Sequence, residues 1–122
     1  MREFDALSNY PEPAQPRVVH PSIRTIHNRI VASYRDEAFY DGNRDDGYGG
    51  VKYDGRWAPI ARNMIDQYSL SDQSSVLHVG SDKGFLLHEF LQISPTMKVR
   101  GTEISDYAIR CTMPSTKEFV RK

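Results

Sequence analysis

The chain has 122 residues, which suits one small domain, and its 16 basic and 16 acidic side chains give a formal net charge of zero. No basic stripe builds up along the sequence, which argues against a nucleic-acid-binding protein. Cys111 is the only cysteine, so an intrachain disulfide framework is excluded. No apolar run approaches a membrane span, and the N-terminus MREFDALSNYPEP does not resemble a signal peptide. We therefore expect a cytoplasmic protein that binds neither nucleic acid nor a membrane.

Residues 1–56 are predicted to form an N-terminal extension with one helix and a glycine- and tyrosine-rich loop. Prolines make residues 9–21 extended and irregular. Apolar residues then recur at the spacing of an amphipathic helix: Ile23, Ile26, Ile30 and Tyr34. That helix should begin near Pro21 or Ser22. Residues 39–56, FYDGNRDDGYGGVKYDGR, combine turn-forming and aromatic residues, which predicts an ordered loop that packs on the rest of the chain.

Residues 57–122 alternate between helical and strand patterns. The predicted elements are a helix at 57–68, a strand at 75–79, a helix at 84–93, a strand at 98–104 and a last helix capped by Ser105 and interrupted by Pro114. This alternation predicts a parallel sheet with right-handed crossovers. The expected fold class is therefore α/β, a Rossmann-like parallel sheet with flanking helices that is truncated after its second strand.

The stretch VLHVGSDKGFLLHEF, residues 76–90, has the pattern of a strand, a glycine turn and a helix. Free backbone N–H groups at a helix N-terminus favour an anionic ligand group, and Gly80 and Gly84 allow the backbone to approach a ligand closely. Glu103 ends the next strand, beside this turn in a parallel sheet, where a carboxylate suits a ribose diol. The alternative is that Glu103 has only a strand-end or capping role. The pattern predicts a site for an adenosine-bearing cofactor.

The sequence SSVLHVGSDKGFLLHEFLQISPTMKVRGTEISDYAI, preceded by YDGRW at 53–57, resembles the N-terminal half of a class I S-adenosylmethionine-dependent methyltransferase. Members of that family carry a strand ending in an acid, G-x-G-x-G, and a second strand ending in Asp or Glu before Ile-Ser and a helix. Gly80, Gly84 and Glu103 match this pattern. The resemblance covers roughly residues 48–112. It implies S-adenosylmethionine as the cofactor and a small-molecule or sugar-type methyl acceptor.

Two positions depart from the family pattern. His78 stands where the family has an acid, and Asp82 stands where it has the middle glycine. We hypothesise that Asp82 compensates by meeting the ammonium group of the methionine moiety, because aspartate tolerates a left-handed backbone. His78 is more typical of a buried or turn-facing histidine than of a catalytic base. A dinucleotide site would need a further glycine after Gly84, and no metal-ligand spacing is present.

The candidate cofactor-binding residues are Gly80, Ser81, Asp82, Gly84, Glu103, His78, Tyr53 and Arg56. For Tyr53 and Arg56, folding over the cofactor and packing within the loop are equally open, and Lys83 is either a solvated turn residue or a ligand contact. No catalytic residue can be assigned. A methyltransferase sheet has seven strands, so the chain is expected to be a fragment, a shortened relative, or a half that pairs with another subunit. The alternative function is a non-catalytic module for cofactor sensing or protein pairing.

Overall fold

The computed structural model describes residues 3–16, 18 and 20–122. Its helices and strands are, in chain order, α1 (Ile26–Ser33), α2 (Glu37–Asp41), α3 (Ala58–Tyr68), β1 (Ser75–Val79), α4 (Phe85–Ile93), β2 (Lys98–Thr102), α5 (Asp106–Arg110), a 3-10 turn (Pro114–Thr116) and β3 (Val120–Arg121). None of the helices formed by the described residues has the length and apolarity needed to cross a membrane. The predicted irregular segment 9–21 contains no helix or strand at its described positions, and positions 17 and 19 lie outside them.

The strands form one open, all-parallel sheet in the order β1-β2-β3. In the β1–β2 register Leu77 lies opposite Arg100 and Val79 opposite Thr102. The predicted α/β class and parallel pairing are confirmed. The predicted truncation after two strands is wrong, because Val120 and Arg121 pair with the end of β2. This third strand has only two residues, which are too few to show the alternation of apolar and polar residues that predicts a strand.

The core lies between one face of the sheet and the helices α3 and α4. Its buried members include Ile60 from α3, Leu87 and Phe90 from α4, and Val99 and Val120 from the sheet. The alternation of β2 turns Val99 and Gly101 to this face and its other residues to solvent. The opposite face of the sheet is exposed.

Helix α1 begins later than predicted, and its apolar face points outward. Thr25 caps it, and the Thr25 and Asn28 side chains form a reciprocal capping box that fixes the start. The Asn28 side chain donates to Asp46 Oδ1 at 2.8 Å, which turns that side of the helix toward the protein. Ile26 and Ile30 are consequently 77% and 49% exposed.

A second helix, α2, occupies the start of the segment predicted to be a loop. Asp36 caps it by accepting from the N–H of Ala38, and Phe39 and Tyr40 become buried against α5. Residues 42–56 contain no helix or strand, as predicted. The N-terminal extension therefore carries two short helices, and α2 fastens it to the sheet domain.

Candidate functional site

The turn between β1 and α4 docks on the carboxyl end of β2. The N–H groups of Gly80 and Ser81 both donate to Thr102 O, at 2.8 and 3.0 Å. The chain then passes through left-handed conformations at Asp82 (φ 48°) and Gly84 (φ 78°) before α4 begins. Asparagine and aspartate are the residues other than glycine that adopt this region most readily. The turn is thus formed with aspartate at its middle position.

The two predicted glycines have different surroundings. A Cβ on Gly84 would lie 2.4 Å from Thr116 Oγ1, so this glycine is required for packing of the turn against the 3-10 turn. Gly80 has open space where its Cβ would be, which leaves room for a ligand to approach the backbone. Gly101 is a third requirement that the sequence did not reveal, because a Cβ there would lie 2.6 Å from Ser81 Oγ.

Glu103 lies directly behind the turn. Its side chain is nearly fully buried, and its Oε2 accepts from the N–H of Asp82 at 2.9 Å. Its Oε1 accepts from the N–H of Ser105, also at 2.9 Å. The acid at the end of β2 therefore joins the cofactor turn to the start of α5. A carboxylate has about four lone-pair sites, so two acceptor positions remain beyond these bonds.

Asp82 projects its carboxylate into a half-buried position between Tyr40 and Glu103. The Tyr40 hydroxyl donates to Asp82 Oδ1 at 3.1 Å. Burial raises the pKa of Asp82, the hydrogen bond from Tyr40 lowers it, and the negative charge of Glu103 raises it. Tyr40 is buried in turn, and burial and the Asp82 charge raise its pKa far above that of a free phenol. This corner of the site is rich in negative charge and favours a cationic ligand group.

His78 and Ser81 supply polar atoms that lack protein partners. His78 Nδ1 and Ser81 Oγ are buried and form no hydrogen bond within the described residues. Burial lowers the pKa of His78, and the charges of Asp82 and Glu103 oppose that shift only in part. His78 therefore favours the neutral imidazole. Buried polar atoms without partners are rare, and a bound ligand is one group that would satisfy them.

A cavity of about 580 Å³ adjoins the turn, a size typical of small-molecule sites. Its wall includes four of the predicted site residues: Arg56, His78, Ser81 and Asp82. Aromatic rings form another part of the wall: Tyr10, Tyr48, Trp57 and Phe85. Gly80, Gly84, Glu103 and Tyr53 belong to the surrounding structure and not to this wall.

The loop residues Tyr53 and Arg56 are held by neighbours outside the turn. The Tyr53 hydroxyl donates to Glu89 Oε1 at 2.9 Å, and its ring packs edge-on against Phe85. Arg56 forms an ion pair with Asp54 and donates to the Tyr10 hydroxyl at 3.1 Å. Tyr10 could not be predicted as a wall residue, because it lies in the irregular N-terminal segment, where no periodicity marks inward-facing positions.

Lys83 fastens the loop to the turn and is neither a solvated residue nor a wall residue of the cavity. Its ammonium donates to both carboxylate oxygens of Asp41, at 2.8 and 2.6 Å, and to Val51 O at 2.9 Å. Asp41 also accepts from the N–H of Val51 and from the Tyr107 hydroxyl. We call Asp41, Lys83 and Val51 the loop latch. It holds the cavity-lining residues Gly50 to Lys52 against the turn.

Comparisons with family models, curated proteins and solved structures found no match to this chain. The site is therefore interpreted from its own geometry. It combines an aromatic wall, an acidic corner, unpartnered polar atoms and a glycine turn with free space beside Gly80. Such a cavity suits a flat aromatic ligand that carries a positive charge.

Proposed function

We propose that this chain is the cofactor-binding part of a class I methyltransferase and binds S-adenosylmethionine beside the β1–α4 turn. One observation carries the proposal. Glu103, at the end of the neighbouring parallel strand, is hydrogen-bonded to the glycine turn itself. Rossmann-like folds bind nucleosides at a glycine turn with an acid at the end of the next strand, and Glu103 has the position of that acid. Its carboxylate bonds the turn and lies outside the cavity wall, so we assign it the role of holding the turn beside the cofactor.

The residues around the cavity fit the parts of this cofactor. Asp82 supplies a carboxylate for the ammonium group of the methionine moiety, and Lys52 supplies a cation for its carboxylate. Trp57 and Tyr48 offer aromatic faces for the adenine. His78 Nδ1 and Ser81 Oγ are polar atoms that a bound cofactor would partner.

The cofactor would supply an electrophilic methyl group on a positively charged sulfur. The chain's own contribution is to hold that group in position for a nucleophile of a small-molecule acceptor. Such alignment can lower the activation free energy of a reaction by up to about 7–11 kcal/mol. His78 and Asp82 line the cavity as a neutral ring and a carboxylate, which keeps a negative charge beside the cationic cofactor.

A second candidate function is a non-catalytic module that senses the cofactor or pairs with another protein. The observation in its favour is the open edge of the sheet. Among the described residues β1 pairs with β2 alone, so its other edge carries no strand partner there. Exposed edges of this kind invite pairing with another chain.

Calorimetric titration with S-adenosylmethionine and S-adenosylhomocysteine tests the proposal. We expect saturable heat with both compounds, and Asp82→Asn should weaken binding of both by about tenfold, the effect of losing one charge-assisted hydrogen bond. Asp106→Asn is the matched control, because Asp106 is an exposed acid that pairs with Lys122 outside the cavity. Its affinity should equal that of the unaltered chain.

A folded chain that releases no heat with either compound overturns the proposal and leaves the pairing module. Equal affinities for Asp82→Asn and the unaltered chain would remove Asp82 from the site. Circular dichroism on each variant shows whether a loss of heat reflects a loss of folding.

A further inference from the structure

The face of the sheet opposite α3 and α4 is uncovered. We call it the open sheet face, and it consists of Ser75, Leu77, Val79, Lys98, Arg100, Thr102 and Arg121. Each of these residues is exposed, and the alternation continues past β2 to Ile104, which is 75% exposed. All-parallel sheets occur almost only where both faces are covered. Residues 3–16, 18 and 20–122 supply no covering layer for the open sheet face.

The charges on this face have one sign. Lys98, Arg100 and Arg121 are basic, and no residue of the face is acidic. The ion pairs found among the described residues involve other cations: Arg56, Lys83 and Lys122. In the register, Arg100 lies beside Leu77 and Arg121 beside Thr102. Apolar side chains on β1 are thus bordered by cations on β2 and β3.

The dimensions of the face match one helix. At the end where β3 pairs with Gly101 and Thr102, three strands about 4.8 Å apart span roughly 10 Å, which is the diameter of an α-helix with its side chains. The rest of the face is two strands wide, so the helix would project beyond it there. A five-residue strand is about 16 Å long, the length of roughly eleven helical residues. The complementary surface is therefore a helix of about three turns, with an apolar stripe toward Leu77 and Val79 and acids toward the cations.

A second copy of the chain does not provide such a helix from its described residues. Two open sheet faces would bring like charges together. The exposed apolar face of α1 lies in the segment 21–34, which contains Arg24 and Arg29 and no acid. Both arrangements oppose cations to cations, and like-charge contacts across an interface cost several kcal/mol.

We propose that the open sheet face binds an acidic amphipathic helix of another polypeptide. Leu77, Val79 and Ile104 supply the apolar contact, and Arg100 and Arg121 select the acidic partner. This surface lies on the far side of the sheet from the core helices, and its use does not depend on cofactor binding.

The test uses a synthetic fourteen-residue peptide with leucine at i, i+3, i+4 and i+7 and glutamate on both flanks of that stripe. A second peptide has lysine in place of every glutamate, and a third has serine in place of every leucine. Fluorescence anisotropy with labelled peptides measures binding to the full chain. We expect the acidic amphipathic peptide to bind, the other two to bind at least about tenfold more weakly, and added salt to weaken binding.

Variants of the chain assign the binding to this face. Arg100→Glu and Leu77→Asp should each reduce affinity for the acidic peptide at least about tenfold without lowering the unfolding midpoint, since both side chains are exposed. Arg62→Glu is the matched control, because Arg62 is an exposed arginine on α3 and lies outside the open sheet face. Its affinity should be unchanged.

Three results would overturn the proposal. The first is equal binding of the acidic and basic peptides, or an equal response to Arg100→Glu and Arg62→Glu. The second is a dimer, seen by light scattering, that Leu77→Asp dissociates, which would assign the face to a second copy. The third is co-sedimentation with phosphatidylserine vesicles through Leu77 and Arg100 in the absence of peptide binding, which would assign it to a lipid surface.

Discussion

The loop latch gives the sharpest test of how the extension is held on the cofactor turn. Lys83→Met removes the ammonium group and keeps most of the apolar stem. The Lys83 side chain is 7% exposed and that of Asp41 is 27% exposed, so the ammonium group is buried and the carboxylate keeps some contact with water. Within the part of the chain that the structure describes, removal leaves Asp41 with the N–H of Val51 and the Tyr107 hydroxyl as partners.

The pKa of Asp41 sets the size of the effect. Burial alone would raise this pKa, but hydrogen bonds from Lys83, Tyr107 and the N–H of Val51 more than offset burial and lower it from 3.8 to about 2. The difference, 3.8 − 2, is nearly two pKa units, and each unit corresponds to about 1.4 kcal/mol. Net of burial, the surroundings of Asp41 thus favour the ionised carboxylate by at most roughly 2–3 kcal/mol, a figure that solvent screening at Asp41 reduces, and the hydrogen bond from Lys83 is the strongest of the favourable contributions. We expect Lys83→Met to lower the free energy of unfolding by about 2 kcal/mol, since breaking a fully buried pair costs about 3–5 kcal/mol and Asp41 keeps some contact with water.

Urea unfolding at neutral pH measures this loss. For a slope of about 2 kcal/mol/M, the midpoint should fall by about 1 M with no change in slope. Lys122→Met is the matched control, because Lys122 forms an ion pair with Asp106 at 2.8 Å, against 2.6 Å for Lys83 and Asp41, but both side chains are more than 60% exposed. Its midpoint should not change measurably.

Limited trypsin digestion gives a local measure of the same change. Arg44, Lys52 and Arg56 lie in the loop, and Lys52 adjoins the latch residue Val51. Cleavage after Lys52 should accelerate in Lys83→Met and not in Lys122→Met. Identical midpoints and identical cleavage rates for the two variants would refute the reasoning and return Lys83 to the class of solvated turn residues.

Three further predictions follow from local geometry. The folded-state pKa of Asp41 is depressed, so the stability that its ionised carboxylate contributes is complete above about pH 4 and is lost as pH falls toward 2. In acid titrations of the free energy of unfolding, Asp41→Asn should lose this part of the pH dependence, and an unchanged profile would contradict the prediction. Gly84→Ala should lower the free energy of unfolding by about 2–4 kcal/mol, since it adds steric overlap to a left-handed φ. Gly55→Ala, at a position with φ 79° and open space, should lower it by about 1 kcal/mol. Equal thermal midpoints for the two variants would show that the overlap at Gly84 is relieved at no cost. Tyr40→Phe removes a hydrogen bond that lowers the pKa of Asp82, so carboxyl NMR titration should show that pKa rising further, and a fall would mean that the bond does not form.

The sequence predicted the parts of the fold that rest on local repetition. β1, α4 and β2 were foreseen close to their observed bounds because a short apolar strand before a glycine turn and a helical apolar face are both readable in one sequence. The orientation of α1 was not, because the Asn28–Asp46 hydrogen bond joins residues eighteen positions apart and turns the isoleucines outward. Local periodicity shows that a face exists but not which neighbour it meets.

The candidate site divides in the same way. The placement of Glu103 beside the turn follows from parallel pairing and was predicted, and its two backbone donors were not. The loop latch joins Asp41 to Lys83 across forty-two positions, and no spacing rule links an acid in a short helix to a lysine in a turn. Tertiary pairs of this kind decide which residues line the cavity, so the wall could not be read from the sequence.

The two departures at positions 78 and 82 form one physical arrangement. Burial lowers the pKa of His78, which favours its neutral form beside the cavity. The carboxylate of Asp82, four residues later, lies on the same cavity wall. The turn places a left-handed backbone at its middle position, which Asp82 adopts, and the hydroxyl of Tyr40 on α2 supplies a donor to the half-buried carboxylate. The acidic corner therefore depends on the extension as well as on the turn. Detaching α2 would leave Asp82 buried without its donor, so the extension and the proposed cofactor site are expected to be lost together.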